Sequence, residues 1–343
     1  MATKVAINGF GRIGRLVARA ILERTDHDLD LVAINDLADA KANALLFAYD
    51  SVHGRFNGEV TADGDAIIVN GKRIAVTKER DPANLPHAAM GIDIVLECTG
   101  FFQSDEASRP HLAAGAKRVI ISAPATGVSK TIVFGVNHET LTAEDVIISN
   151  ASCTTNCLAP VAKVLNDVIG IERGFMTTIH SYTNDQNLVD NFHKKSRRGR
   201  AAALNMVITE TGAGSAVAKV LPVLAGKLNS NAIRVPVPNG SLAILNLELK
   251  SITTVEEVNG LLKKAALEGD LVEQIQYANN AELVSSDIVG TTAASVVDAP
   301  ATIVSADGKN VVIYVWYDNE YGYTHQVMRL ARHIAGVRRY TYY

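Results

Sequence analysis

Cys153 is the side chain from which chemistry is most directly argued in this chain. It lies in Ser149-Asn150-Ala151-Ser152-Cys153-Thr154-Thr155-Asn156-Cys157, after an apolar run, Val146-Ile147-Ile148, that reads as a strand. An amphipathic run follows, residues 158–165, and reads as a helix. A cysteine at such a strand-to-helix turn faces the unpaired N–H groups and positive dipole end of the helix, where the nucleophilic thiolate is favoured. Pro160 is expected in the early turns of that helix, where proline is tolerated. Residues 171–180 then read as a strand ending at His180. A helix of about fifteen residues at about 1.5 Å per residue is matched in length by a strand of about nine, which returns His180 to the side of Cys153. An imidazole there can take the thiol proton and later act as acid and base. Taken singly, each residue is as well explained by packing, as a small buried cysteine and a strand-end histidine. The pairing is what points to covalent catalysis.

The elements before the cysteine supply a second kind of site. Lys4–Asn8 is a short apolar strand, followed by Gly9-Phe10-Gly11-Arg12-Ile13-Gly14 and a helical pattern over residues 12–23. In this strand–turn–helix context the first glycine permits the turn, the second lets a pyrophosphate reach the backbone, and the third lets the helix pack on the strand. The phosphates would sit on the helix N-terminus. A second strand, residues 29–35, ends in Asp36, where an acid binds ribose hydroxyls and repels the extra phosphate of NADP. An α/β rhythm continues. A helix is expected over 41–49, and hairpins over 59–77 around Asp63-Gly64 and Asn70-Gly71. A strand over 92–97 and a helix over 105–114, capped by Ser104 and closed by Gly115, come next, then strands over 118–122, 131–136 and 146–148. Arg80 and Ser122 are cofactor-side candidates at strand ends, and Cys98 reads as inert packing.

After His180 a polar loop carries Lys194, Lys195, Arg197, Arg198 and Arg200, read either as a solvated or subunit-contact surface or as a source of cations for an anionic substrate. A helix beginning near Thr209-Glu210-Thr211-Gly212-Ala213 aims N–H groups and a hydroxyl at an anion. In the alternating run 231–238, Arg234 faces away from Ile233 and Val235, and an inward arginine needs an anionic partner such as phosphate. Residues 241–250 and 311–317 read as strands, Thr253-Thr254-Val255-Glu256 as a capping box, and 323–336 as a final amphipathic helix before an arginine- and tyrosine-rich tail. The second half is thus α+β with a mainly antiparallel sheet.

With 343 residues the chain has room for roughly two domains. Its net charge of −3 makes no electrostatic case for nucleic acid or an anionic membrane. Three cysteines without metal-ligand spacing argue against a disulfide framework and a metal site, and no signal peptide or apolar span is read, so a cytoplasmic protein is expected.

The glycine-rich turn, the Ser149–Cys157 stretch, His180-Ser181-Tyr182-Thr183-Asn184-Asp185-Gln186 and Trp316-Tyr317-Asp318-Asn319-Glu320 together resemble the phosphorylating glyceraldehyde-3-phosphate dehydrogenases, in order and essentially end to end. The resemblance implies a Rossmann-type NAD-binding domain (1–151 and 319–343, the last helix returning to it) and a catalytic domain (152–318). It implies Cys153 as nucleophile and His180 as base, with NAD contacts at Gly9, Gly11, Arg12, Ile13, Gly14, Asp36, Arg80, Ser122 and Asn319. Thr183 and Arg234 match one substrate-phosphate site, and Ser152, Thr154, Arg198, Thr211 and Gly212 the region of a second, inorganic phosphate. Glyceraldehyde 3-phosphate, inorganic phosphate and a homotetramer are implied partners. The chain departs from the family pattern at Glu210, expected to point away from phosphate, at Asn191-Phe192, at Ala213-Gly214-Ser215, and at Gly240, expected to loosen a strand start. Three rival readings are a sibling enzyme oxidising erythrose 4-phosphate with water as acyl acceptor, a semialdehyde or acyl-phosphate reductase of similar architecture, and a dinucleotide- or RNA-binding protein without catalysis.

Overall fold

The computed structural model describes residues 2–24, 26 and 28–337; the tail from Arg338 lies outside them. The described chain forms two compact units, residues 2–132, 138–151 and 324–337 in the first, and 133–137 and 152–323 in the second.

The first unit is built on a nine-stranded sheet. From one edge its strands are Lys130–Thr131, Ile147–Ser149, Arg118–Ile121, Ile94–Glu97, Thr3–Asn8, Leu29–Asn35 and Lys72–Thr77, all parallel, then Ala66–Val69 and Val60–Asp63, antiparallel. Parallel strands need crossovers, and the helices Arg12–Leu22 and Asp105–Ala113 supply two of them. Apolar residues fill both faces of the central strands, as in a doubly covered sheet. At the Asn70-Gly71 turn both residues have positive φ, which lets the hairpin twist with its strands. The strand expected over 131–136 is shorter: only Lys130–Thr131 pairs, and the chain turns at Val133, whose carbonyl accepts the Val136 N–H. Its apolar residues are buried by that turn rather than by a ladder.

The second unit holds an eight-stranded, mainly antiparallel sheet, ordered Val207–Thr209, Leu228–Val235, Ile171–Ser181, Ser241–Leu249, Asn310–Tyr317, Ser295–Asp298 and Ile275–Ala278, with Ile303–Val304 beside Asn310–Tyr317. The helix Cys153–Val168 lays Leu158, Val161 and Leu165 on it, in one core with Met176, Leu245 and Val315. Pro160 falls in mid-helix rather than in the early turns, and gives no N–H to the carbonyl one turn back. The capping residue of the helix Val255–Leu267 is Thr254, whose side chain accepts the Glu257 N–H; the expected box beginning at Thr253 is displaced by one residue. Gly240 does more than loosen a strand: its φ is +89° and a Cβ there would lie 2.2 Å from the Ser285 carbonyl oxygen. The last helix, Tyr321–Ile334, opens on Asp318, which accepts the N–H groups of Glu320 and Tyr321. Among the described residues no helix is long and apolar enough to cross a membrane, and no group of three or more metal-ligating side chains is found.

Candidate active site

Cys153 is the first residue of its helix. Ser152 caps it, accepting the Thr155 N–H at 3.1 Å, and Ala151 just before has a φ of 55°, a left-handed value costly for a residue with a Cβ. His180 enters from the long strand Ile171–Ser181, with its Nε2 3.5 Å from the Cys153 Sγ. Arg234 stands directly opposite His180 in the parallel register of the next strand. Its Nη1 lies 2.8 Å from His180 Nδ1 and donates to the Ser181 carbonyl at 2.8 Å. His180 Nδ1 is also 2.7 Å from that carbonyl. One nitrogen cannot serve both neighbours in one way. When Nδ1 carries its proton to the Ser181 carbonyl, the Nε2 lone pair faces the thiol. When Nδ1 accepts from Arg234, it is Nε2 that carries the proton and faces the sulfur. Only the first tautomer can take the thiol proton, which gives an imidazolium protonated on both nitrogens beside the Cys153 thiolate.

Burial, then Arg234, pushes His180 down to about 3. Burial raises the Cys153 thiol above its ordinary value, against the opposing pull of Arg234, the Thr154 hydroxyl and the N–H groups of Thr154 and Cys153. The helix N-terminus therefore offsets desolvation rather than winning outright. Moving one proton from sulfur to nitrogen makes two adjacent opposite charges, which is less costly than either charge alone.

Around the pair, Thr154 is buried and its hydroxyl is held by Tyr317 at 3.0 Å, which also bonds Thr178 at 2.7 Å. Arg198 donates to Thr209 at 3.0 Å and pairs with Asp185; burial and nearby Arg234 lower it. Arg234 keeps one buried donor, Nε, without a partner, which suits an incoming anion. Thr183 is half-buried three residues beyond His180. Thr211 accepts the Ala213 N–H through its hydroxyl, and exposed Gly212 precedes the helix Ala213–Val220. Glu210 extends into solvent, 91% exposed, with Lys195 at 3.5 Å.

In the first unit a cavity of about 490 Å³ opens over the carboxyl ends of the parallel strands, lined in part by Gly9, Gly11, Asp36 and Arg80. The three glycines divide the work as the pattern implies. Gly9 has a φ of +89°; a Cβ on Gly11 meets nothing within 4 Å, leaving bare backbone at the cavity; and a Cβ on Gly14 would lie 2.0 Å from the Gly9 carbonyl oxygen. These features fit a dinucleotide. Asp36 accepts the Phe10 N–H at 2.9 Å and the Ala38 N–H at 3.0 Å, so it also fastens the turn. Five expected contacts are not among the lining residues: four in this unit, where Arg12 is ion-paired with Asp50, Ile13 and Ser122 are half-buried and Gly14 is buried, and Asn319 in the second. In the second unit Asn319 is buried, its Oδ1 accepting the Ser241 hydroxyl at 2.7 Å.

Two family models match this chain: the glyceraldehyde 3-phosphate dehydrogenase NAD binding domain over residues 3–105, and the C-terminal domain of the same family over 152–319. Proteins named glyceraldehyde-3-phosphate dehydrogenase from Zymomonas mobilis and Geobacillus stearothermophilus are 53% and 55% identical over 336 residues, 98% of this chain and 99% of each. One from Bacillus subtilis is 54% identical over the same length and shares. The chain belongs to the glyceraldehyde-3-phosphate dehydrogenase family. As a member it is an oxidoreductase with a Rossmann-type domain for a dinucleotide cofactor. Sequence reasoning about this dehydrogenase passed over Tyr317, Thr178 and Ser241, which carry hydroxyls buried inside apolar strands. The alternating burial of Asn310–Tyr317 turns Tyr317 inward, a period that strand alternation could have shown; nothing local marks its partners.

Proposed function

We propose that this chain catalyses the NAD-dependent oxidative phosphorylation of glyceraldehyde 3-phosphate to 1,3-bisphosphoglycerate. The observation that carries this reading is the Cys153–His180 pair at 3.5 Å, at a helix N-terminus and beside Arg234. His180 takes the thiol proton as the Cys153 sulfur bonds to the aldehyde carbon, and the N–H of Cys153 and protonated His180 stabilise the oxyanion. Bound NAD supplies the hydride acceptor. The oxyanion takes the His180 proton to give the thiohemiacetal; loss of hydride from it, with its hydroxyl proton returning to His180, leaves a thioester on Cys153. A phosphate oxygen then bonds to the thioester carbon, the carbon–sulfur bond breaks, and the thiolate returns. Thr183 and Arg234 hold the substrate phosphate in this reading. Ser152, Thr154, Arg198, Thr211 and Gly212 receive the inorganic one, with Thr154 contributing its backbone because Tyr317 engages its hydroxyl.

Gly9, Gly11, Arg12, Ile13, Gly14, Asp36, Arg80, Ser122 and Asn319 serve the cofactor. Asp36 favours NAD over NADP, since a 2′-phosphate would meet a carboxylate. The assignment of residues 1–151 and 319–343 to cofactor binding, and of 152–318 to catalysis, follows the same reading. A cytoplasmic homotetramer is part of the proposal. The homotetramer is supported by the exposure of the apolar side chains Leu188, Phe192, Leu204 and Met206.

The test is NADH production from glyceraldehyde 3-phosphate with and without inorganic phosphate. Strong phosphate dependence is expected. Turnover indifferent to phosphate would favour the hydrolytic erythrose 4-phosphate sibling. Absence of turnover with NAD and NADP would favour a binding protein without catalysis.

A further inference from the structure

Beneath the dinucleotide cavity lies a buried polar chain that no step above uses. At its centre is Glu97, 2% exposed at the carboxyl end of Ile94–Glu97. Its Oε1 accepts the Thr99 N–H at 2.8 Å and the Thr99 hydroxyl; its Oε2 accepts Asn8 Nδ2 at 2.6 Å and faces His111 Nε2 at 3.2 Å. Four donors fill the acceptor positions of a carboxylate. The Thr99 oxygen in turn accepts the Phe101 N–H at 3.0 Å. On the other side, Asn8 Oδ1 accepts Asn35 Nδ2 at 2.7 Å, and Asn35 Oδ1 accepts the Glu79 N–H at 2.8 Å and the Thr77 hydroxyl at 2.9 Å. Asn8, Asn35, Glu79, Thr99 and Phe101 all line the cavity.

We propose that Glu97 is a positioning residue for the dinucleotide, orienting the Asn8 and Asn35 amides and the Thr99–Phe101 turn that form the floor and rim of the cavity. The reason is that Glu97 is the one acceptor-only side chain in this chain of bonds, while at the far end the Glu79 backbone donates its N–H to Asn35 Oδ1 and accepts Asn35 Nδ2 at 2.8 Å through its carbonyl. Asn8 must turn its Nδ2 to Glu97 and its oxygen to Asn35; Asn35 must then turn its oxygen to the Glu79 N–H. The Glu97 carboxylate at one end and the Glu79 backbone at the other thus fix the direction of both amides across four strand ends. An amide at position 97 carries two hydrogens into this arrangement. Turned toward Thr99, they oppose a backbone N–H that cannot reverse. Turned toward Asn8, they force both asparagines to flip until the Glu79 N–H faces a donor. Either way one rim of the cavity loses a bond and its fixed geometry.

The experiment is fluorescence titration with NADH of the full chain carrying Glu97→Gln, Thr99→Val, or Glu97→Gln together with Asn8→Asp. Glu97→Gln is expected to raise the NADH Kd at least tenfold and Thr99→Val about threefold, since the latter removes one donor of the four. Asn8→Asp in the presence of Glu97→Gln moves the acceptor one link along the chain, and is expected to bring Kd back within about threefold of wild type. Far-UV circular dichroism and the thermal unfolding midpoint, measured without cofactor, should match wild type and so report an intact fold. A Kd within twofold of wild type for Glu97→Gln overturns the proposal, as does a folded double variant that binds no better than Glu97→Gln. If Glu97→Gln alone does not fold, the other two variants decide: unchanged binding in Thr99→Val overturns it, and a threefold loss there with a folded, binding double variant supports it.

Discussion

At Cys153 two influences oppose each other. Burial holds the thiol above its ordinary value, while Arg234 and the helix N–H groups pull it down without prevailing. In the proposed mechanism the proton therefore leaves by way of His180. In His180→Asn the thiolate must form unaided, so the pH midpoint for iodoacetamide alkylation moves upward and the rate at pH 7 falls at least about tenfold, one pKa unit corresponding to about a factor of ten. An unshifted profile would remove His180 from the base role. Arg234 acts on both partners, lowering the imidazole and lowering the thiol. In Arg234→Gln the acid limb of the kcat/KM profile is expected to move to higher pH, because His180 protonates more readily, and the KM for glyceraldehyde 3-phosphate is expected to rise at least tenfold. An acid limb that stayed in place would mean that a different group sets it.

At the scale of elements, two connections show how much a turn can demand. Gly240 combines a φ of +89° with a Cβ position 2.2 Å from the Ser285 oxygen, so Gly240→Ala must move backbone. The left-handed conformation alone costs an alanine about 1–2 kcal/mol. Urea unfolding of this variant is expected to show a loss of about 2 kcal/mol or more, and a midpoint equal to wild type would contradict the geometry. Thr254 is a simpler case, an N-cap with one bond to the Glu257 N–H. Thr254→Ala should cost about 1 kcal/mol, as caps of this kind do, with phosphate-dependent turnover retained. The helix Cys153–Val168 and the strand Ile171–Ser181 were legible from period and length because each follows a regular pattern. The strand over 131–136 was misjudged because an apolar run buried by a turn has the same composition as one buried in a sheet.

For the molecule as a whole, several histidines are held neutral by burial: His87 at about 4, helped by neighbouring His111, and His180 and His325 at about 3. An unfolded chain binds these protons near the ordinary histidine value of about 6.5, so between that pH and about 4 the unfolded state carries more protons. Stability contributed by these sites is thus complete above about pH 6.5 and is lost as pH falls, toward about 4 for His87 and about 3 for His180 and His325. Thermal unfolding should show the midpoint dropping through this window. His87→Gln should flatten the drop, and an equally steep curve would assign the acid sensitivity elsewhere.

The order of elements, the glycine-rich turn, the cysteine at a helix start and the histidine at a strand end were all readable from the sequence alone, because each rests on local spacing along one chain. So was the family. The register that sets Arg234 opposite His180, the Tyr317 hydroxyl between Thr154 and Thr178, the pairing of Arg12 with Asp50, and the bond chain through Glu97, Asn8 and Asn35 were decided only by tertiary structure. Each of these joins residues far apart in sequence. A buried polar side chain inside an apolar strand carries no local sign of which distant donor or acceptor will satisfy it, and only packing the strands side by side brings that partner within reach.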